Sequence, residues 1–447
     1  HRDLHSFPTR RSSDLTPAVD PASGYSISEA VQEAQRCILC DCMECVKVCE
    51  YLQHYGGYPK KYVREIYNNL SIVMGTRHSN NLINSCSLCS LCGEVCPENL
   101  DMGQVCKESR QLMVQQKRMP PSAHDFALRD MAFSNGEKFA LVRNQPDMQT
   151  SQYAFFPGCQ LSASSPDYVE RLYAYLCEKL PEAQIKGVGL ILRCCGAPAD
   201  WAGRTDLFQA AQAEFMSEYE QMGRPKLVLA CSSCYQVFKT HFPDVELISL
   251  WEVLDTFGLP IGVAPKPEPG VAPLAIHDPC STRYETKIQD SARNILLRLG
   301  YELRELPLNR EKTECCSYGG LMWLANPELA AKATQRRVAE CPDDYVTYCA
   351  MCRDFFARQG KPTLHLLDLI YGRDIHAQAN RASPGYSQRH ENRARLKLTM
   401  LKKIWREDME AGEAYENIQL MITPEVQKVL DERLILVEDI QQVIEYA

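Results

Sequence analysis

Cysteine thiols are the groups in this sequence best able to do chemistry: there are 22 in 447 residues, and they are clustered. Nineteen fall into four sets. The first is CILCDCMECVKVC, with Cys37, Cys40, Cys42, Cys45 and Cys49. The second is CSLCSLCGEVCP, with Cys86, Cys89, Cys92 and Cys96. The third spans FFPGC, CCGAP and CSSC, with Cys159, Cys194, Cys195, Cys231 and Cys234. The fourth spans HDPC, CCSYGG and CAMC, with Cys280, Cys315, Cys316, Cys349 and Cys352. Thiols two and three residues apart, in a long chain without a secretory apolar region, read as metal ligation in a reducing compartment rather than as a disulfide framework. Cys106, Cys177 and Cys341 stand apart and read as small buried hydrophobes.

The second run, spaced x2, x2, x3 and followed by Pro97, has the bacterial ferredoxin pattern, in which three thiolates hold one [4Fe–4S] cluster and the fourth crosses to the other. Cys86, Cys89, Cys92 and Cys49 then form one ligand set, and Cys96 joins the first run in the other. The first run departs from the pattern because Leu39 stands three residues before Cys42. Either Cys37, Cys40 and Cys45 ligate, or Cys40, Cys42 and Cys45 do. The former is favoured because C-x2-C-x4-C-x3-C resembles the N-terminal run of the glutamate synthase small subunit and dihydropyrimidine dehydrogenase, which leaves Cys42 spare. Nine thiols without a histidine argue against a pair of zinc sites.

The elements that must position these thiols can be read from periodicity. SISEAVQEAQRC carries apolar residues at helical spacing behind a Ser26/Glu29 capping box and feeds straight into the first run. YPKKYVREIYNNLSIVMG between the runs reads as helix rather than hairpin, which predicts an all-helical ferredoxin-like domain. Farther on, the third set recurs as the fourth 121 residues later at its first cysteine and its pair, and 118 later at its last. ISLWEVL at 248–254 recurs as LHLLDLI at 364–370, so the module is duplicated. KLVLA, APLAI and DYVTY each end at a cysteine motif, and helical patterns follow the CxxC runs. Strand, loop, helix is the alternation of a small parallel sheet, which places cysteines at the carboxyl edge where such sheets bind ligands.

In residue types and spacing, both halves resemble the CCG domain of the heterodisulfide reductase catalytic subunit, over about residues 153–375. Related modules occur in the iron–sulfur subunits of anaerobic glycerol-3-phosphate, glycolate and lactate dehydrogenases. The resemblance implies one or two further 4Fe-4S clusters of non-cubane type, with Cys159, Cys194, Cys195, Cys231 and Cys234 as one catalytic set and Cys280, Cys315, Cys316, Cys349 and Cys352 as the other. Two departures lie in the second copy: Ser317 replaces the glycine of CCG, and Ser281 follows HDPC where a histidine is common. Gly196 would let the first adjacent pair bend towards one cluster, a task left to Gly319 and Gly320 in the second.

The expected fold is α/β: an N-terminal helical ferredoxin-like domain, a duplicated cysteine-rich α/β module with small parallel sheets, and a helical C-terminal tail. Residues 1–15 contain HSFPTRRSSDL, which resembles a translated sequencing adapter and is set apart from fold. The expected order is then a dicluster domain at 16–116, a linker at 117–150, cysteine-rich domains at 151–260 and 271–375, and a helical extension at 376–447, read as truncated within VEDIQQVIEYA. Eight Arg or Lys between Arg381 and Arg406 read as a solvated helix face, and His277 and Asp278 as satisfied structural residues rather than a proton source.

Composition excludes other classes. A net charge of −8 is the wrong sign for a protein that lives by neutralising phosphates, so no nucleic acid is expected. No stretch approaches the roughly 18 apolar residues of a membrane span, so an integral membrane protein is excluded and a cytoplasmic one, peripheral to a membrane only through a partner, is expected. Neither GxGxxG after a strand nor a Walker loop is present, so this chain should carry no nucleotide or flavin site. The expected activity is an iron–sulfur oxidoreductase that passes electrons from two ferredoxin-type clusters to the duplicated domain to reduce a disulfide or similar two-electron acceptor. Its expected donor is a flavoprotein, fused ahead of a cut N-terminus because PASGYSISEAVQEAQRC resembles the segment leading into glutamate-synthase-type flavin domains. Its acceptor is an electron-acceptor protein or a small disulfide. The competing expectation is a relay subunit of an anaerobic dehydrogenase that passes electrons to quinone or ferredoxin and breaks no bond.

Overall fold

The computed structural model describes residue 19 and residues 24–35, 42–72, 79–180, 186–260, 272–372, 374–408 and 414–446. The chain divides into two compact units, one of residues 1–123 with 201–203 and 311–337, the other of residues 124–200, 204–310 and 338–447.

Every regular element described in the first unit is helical. The capping box forms as the sequence predicts: Ser26 N–H donates to Glu29 Oε2 at 2.7 Å, and Glu29 N–H to Ser26 Oγ at 3.4 Å, opening the helix Ile27–Ala34. Pro59 starts the helix Pro59–Tyr67, where its fixed φ and missing N–H cost nothing, and Tyr62 and Ile66 turn inward. The helix Met102–Gln115 starts at Asp101, whose Oδ1 accepts from Gly103 N–H at 2.7 Å. Its inner face buries Met102, Cys106, Arg110 and Met113 against Leu52 and Ile83, with Met322 and Leu329 from the 311–337 segment.

The second unit holds two sheets. In the first, β1 (Leu141–Arg143), β3 (Val188–Leu192), β2 (Tyr153–Phe156), β4 (Lys226–Leu229) and β5 (Leu247–Ser249) lie in that order. In the second, β7 (Leu303–Glu305), β6 (Leu274–His277), β8 (Tyr345–Thr347) and β9 (Thr363–His365) do the same. Apart from β1, all pairings are parallel, and β3-β2-β4-β5 repeats strand for strand as β7-β6-β8-β9. The duplication read from cysteine spacing is thus a duplication of topology.

One segment differs from its sequence reading. Residues 117–150, expected as linker, contain the helix Asp125–Asn135 and β1, which pairs antiparallel with β3 in the register Leu141↔Leu192. Phe126, Met131, Phe139 and Leu141 are buried, and four apolar anchors in this stretch are enough to dock it.

Candidate metal centres

The first cysteine-rich set lies wholly in the second unit, and its thiols sit where strands end. Cys159 follows β2 and opens the helix Cys159–Ser164; Cys194 and Cys195 follow β3; Cys231 caps the helix Ser232–His241 after β4, with Cys234 on its first turn. Backbone conformation brings them together. Gly158 has φ +84°, and a Cβ there would meet Cys231 Cβ at 2.8 Å and Cys234 Sγ at 3.3 Å, so only glycine lets the turn pass this close. Gly196, with φ +87°, supplies the bend after the adjacent pair that the sequence calls for.

The five sulfurs form a ladder of hydrogen bonds: Cys159 with Cys194, Cys194 with Cys195, Cys195 with Cys234, and Cys234 with Cys231. The Cys194 thiol, helped by Cys234, lowers Cys195 to about 6 against the opposing effect of burial, and Cys234 lowers Cys231 to about 7. Cys159 and Cys234 are pushed up, first by donating to their sulfur neighbours and then by burial. Metal ligation needs thiolates, and the ladder already favours two.

In the first unit, Cys49, Cys86, Cys89 and Cys92 lie close enough to feel one another's charge, which brings the last thiol of the first run to the second. Burial, then the Cys89 charge, pushes Cys49 up to about 12. Backbone N–H groups point at two of these sulfurs, Leu88 to Cys86 at 3.4 Å and Met102 to Cys92 at 3.3 Å. The loops between the cysteines curl through left-handed backbone at Met43, Leu88 and Ser90, with φ of 57°, 55° and 60°. Such conformations cost non-glycine residues of order 1 kcal/mol or more each and collect at functional sites. Cys45 is buried, while Cys42 and Cys96 are half-buried. Cys37 and Cys40 lie outside the described residues.

Two residues here were invisible to spacing. Cys106, read as a buried bystander, is fully buried but hydrogen-bonded to the Cys86 thiol and 3.6 Å from Tyr51 Oη. Arg110, also fully buried, donates to the carbonyls of Ile83, Asn84, Cys86, Trp201 and Gly320 at 2.7–3.2 Å. No carboxylate among the described residues pairs with it. Its neighbouring charges are the thiols of Cys106 and Cys86, and then Tyr51.

The second cysteine-rich set is divided. Cys280 follows β6, Cys349 follows β8, and Cys352 lies on the helix Ala350–Arg358, all in the second unit. Cys315 and Cys316 fold with the first unit, where Ser317 N–H donates to Cys315 Sγ at 3.2 Å and Cys316 O accepts from Thr334 Oγ1 at 3.1 Å. Ser317, in place of the glycine, itself takes φ 73°, and Gly320 takes φ 62°. Asp278 is a structural anchor, as its sequence position suggests: Arg293 holds it at 2.8 Å, and Tyr348 Oη donates to it at 2.8 Å.

The C-terminal extension departs most from its sequence reading. The helix Tyr386–Met400, expected as a solvated basic face, buries Arg389, His390 and Arg393. Each has a partner from a distant element: Arg389 pairs with Asp354, Arg393 with Asp130, and His390 Nε2 lies 2.9 Å from Asp130 Oδ1. Burial of a cation is tolerable once it is paired, and these pairs are 35 to 263 residues apart in sequence. Gln160, the residue after Cys159, also reaches Asp130, at 3.4 Å.

The donor chemistry fits iron–sulfur clusters. All nineteen grouped side chains are thiols; among the described residues no three His, Cys, Asp or Glu side chains are gathered around one point. A ladder of sulfurs suits a cluster, which spreads its protein ligands over several iron atoms. No helix among the described residues is long and apolar enough to cross a membrane.

Residues 36–101 match the family described as a 4Fe-4S dicluster domain, and residues 153–239 and 274–356 each match the one described as a cysteine-rich domain. An uncharacterized iron–sulfur protein of Methanococcus maripaludis is 23% identical over 355 residues, 72% of this chain and 67% of the relative. An EtfAB:quinone oxidoreductase of Syntrophomonas wolfei is 24% identical over 312 residues, 61% of this chain and 42% of that protein. A subunit of the dihydromethanophenazine:CoB–CoM heterodisulfide reductase of Methanosarcina barkeri is 20% identical over 384 residues, 76% of this chain and 91% of the relative. The chain thus carries a 4Fe-4S dicluster domain followed by two copies of the cysteine-rich domain, and it is similar along most of its length to that heterodisulfide reductase subunit.

Proposed function

We propose that the chain is an electron-transfer oxidoreductase that carries electrons from two ferredoxin-type 4Fe-4S clusters to its duplicated cysteine-rich domain, where a disulfide or similar two-electron acceptor is reduced. In this reading Cys37, Cys40, Cys45 and Cys96 hold one cluster and Cys49, Cys86, Cys89 and Cys92 the other. Cys159, Cys194, Cys195, Cys231 and Cys234 hold a third, and Cys280, Cys315, Cys316, Cys349 and Cys352 are the ligands of a fourth. The gathering of five thiols from three strand ends in the first cysteine-rich set carries the proposal, because an isolated structural thiol needs no such company. When bound, the clusters supply one-electron steps at potentials set by their surroundings.

The protein's own contribution is to gather the sulfurs and shield them. The hydrogen bond to Cys106 and then burial push the Cys86 thiol up, and burial pushes Cys92 up; the Arg110 charge opposes the rise at Cys86 and the Met102 N–H opposes it at Cys92. A flavoprotein is the proposed donor, and relatives that are subunits of larger oxidoreductases support a partnered protein. Iron, acid-labile sulfide and zinc per chain after anaerobic purification test the reading. About sixteen iron, four from each set, is the expected result. About eight iron with zinc or free thiols would confine clusters to the first unit and remove the proposed site of reduction. Turnover of a disulfide with a chemical reductant then separates a reductase from a pure relay.

A further inference from the structure

Two helices that lie outside every matched domain flank the first cysteine-rich set, and each is bonded to it. The helix Asp125–Asn135 ends at Asn135, whose Oδ1 accepts from Cys194 N–H at 3.0 Å. The helix Tyr386–Met400 lies against the helix that Cys159 opens. Asn392 Nδ2 donates to Ala163 O at 2.7 Å, and Arg389 donates to Gln160 Oε1 and to Ser164 Oγ, both at 3.1 Å. Neither helix carries a thiol, so their bearing on the site must come from contact and charge.

One ion pair joins the two helices beside these sulfurs. Arg393 is completely buried, donates to Asp130 Oδ1 and to Ser134 Oγ, and holds its guanidinium 5.2 Å from the centre of the Phe133 ring. Asp130 also accepts from Gln160, the residue after Cys159, at 3.4 Å. Burial opposes the charge on Asp130, but Arg393 and then His390 hold its carboxyl well below the usual range, so it stays anionic. Cys159 feels both charges, with opposite signs, and the Arg393 charge also reaches Cys194. A buried ion pair adds little to stability, because desolvation of both partners offsets their attraction. Beside a set of sulfurs it has an electrostatic effect that an apolar pair would lack, since charges in a weakly screening interior act beyond their immediate neighbours.

We propose that Arg393 and Asp130 are positioning residues that set the reduction potential of the cluster held by Cys159, Cys194, Cys195, Cys231 and Cys234, Arg393 raising it and Asp130 lowering it. The inference rests on the cluster assignment above. Its physical cause is that reduction adds one negative charge: a fixed cation nearby favours the reduced form, and a fixed anion the oxidised one. No bond forms or breaks in this role. Asn135, Arg389 and Asn392 keep the two helices, and with them the two charges, in place against the cysteine-bearing turns.

Potentiometric titration of the anaerobically purified full chain, followed by electron paramagnetic resonance, tests this on the signal that Cys195→Ser removes. Asp130→Asn, which keeps the shape of the side chain, should make reduction about tenfold more favourable, a rise of about 59 mV for one electron, and Arg393→Gln should lower the midpoint by a similar amount. Arg393→Lys keeps the charge and should stay near wild type. Ser134→Ala, which takes a hydrogen bond from Arg393 but no charge, should do the same. Iron per chain should be unchanged in each. Should Arg393→Gln fail to fold, the double substitution Asp130→Asn with Arg393→Gln decides, because it should return the midpoint of Asp130→Asn to near wild type. Midpoints that stay fixed, that move the same way in Asp130→Asn and Arg393→Gln, or that move as far in Ser134→Ala overturn the proposal alone. A wild-type chain in which Cys195→Ser removes no signal overturns the cluster assignment, and the proposal with it.

Discussion

Arg110 donates a hydrogen bond to the main-chain carbonyl of Cys86 at 2.7 Å while the Cys86 thiol shares a proton with Cys106, one helical turn before Arg110. A guanidinium with five carbonyl acceptors and, among the described residues, no carboxylate partner ties together three separate stretches of the first unit. Arg110→Met would leave those carbonyls buried without donors. A loss of about 3 kcal/mol or more is expected, read as a lower urea midpoint. Arg110→Lys should recover less than half, because three donors on a flexible stem replace five in a rigid fork.

Gly158→Ala should empty the first cysteine-rich set. The added methyl would lie 2.8 Å from Cys231 Cβ in a backbone that already has φ +84°. Gly258 provides the control, since its φ is +89° but nothing lies within 4 Å of an added Cβ. Iron analysis should show about four fewer iron per chain in Gly158→Ala and no change in Gly258→Ala, which carries only backbone strain of roughly 1–2 kcal/mol.

In the first run, Cys45→Ser should cost about four iron and Cys42→Ser none. Cys45 is buried with the core, whereas Cys42 is half-buried at the preceding turn. Cys177→Ser, whose thiol is hydrogen-bonded to Tyr173, should also keep its iron. Iron content with electron paramagnetic resonance of the reduced protein would show which cluster each substitution removes.

A pH dependence follows from His365. Burial, then the Arg381 charge, lowers it to about 3 despite Asp354 nearby, and its Nδ1 accepts from Leu367 N–H at 3.2 Å as a helix cap, which requires the neutral ring. The unfolded chain binds this proton below about pH 6.5 and the folded chain does not, so the contribution is whole above that value and is lost as pH falls towards the folded value. Between pH 7 and 5 this residue should cost about 2 kcal/mol. His365→Asn, which caps without titrating, should flatten that part of the profile in urea melts at stepped pH.

What could be read from sequence was local. The Ser26 capping box and the apolar runs ending at CSSC, HDPC and CAMC each depend on neighbours along the chain, and each forms where expected. What escaped was long-range pairing. Arg393 and Asp130, 263 residues apart, give no local sign that each will neutralise the other, so a buried face looked solvated. β1 is too short to announce itself, with only Leu141, Val142 and Arg143. Arg110 looks like any helical arginine until its five carbonyls are assembled around it.

The antiparallel strand β1 makes the two repeats unequal in how they end. Beneath it lies Val188–Leu192, an all-apolar strand buried at every position, which without β1 would expose a row of unsatisfied main-chain groups beside VGLIL. A bare, sticky border of that kind invites intermolecular pairing and fibrous growth. The equivalent border of the other sheet, β7, needs no cover because it is three residues long and carries Arg304 and Glu305 outward. Residues 141–143 therefore act as a guard rail: a cysteine-rich module excised at the repeat boundary would be expected to self-associate from its first copy and not from its second.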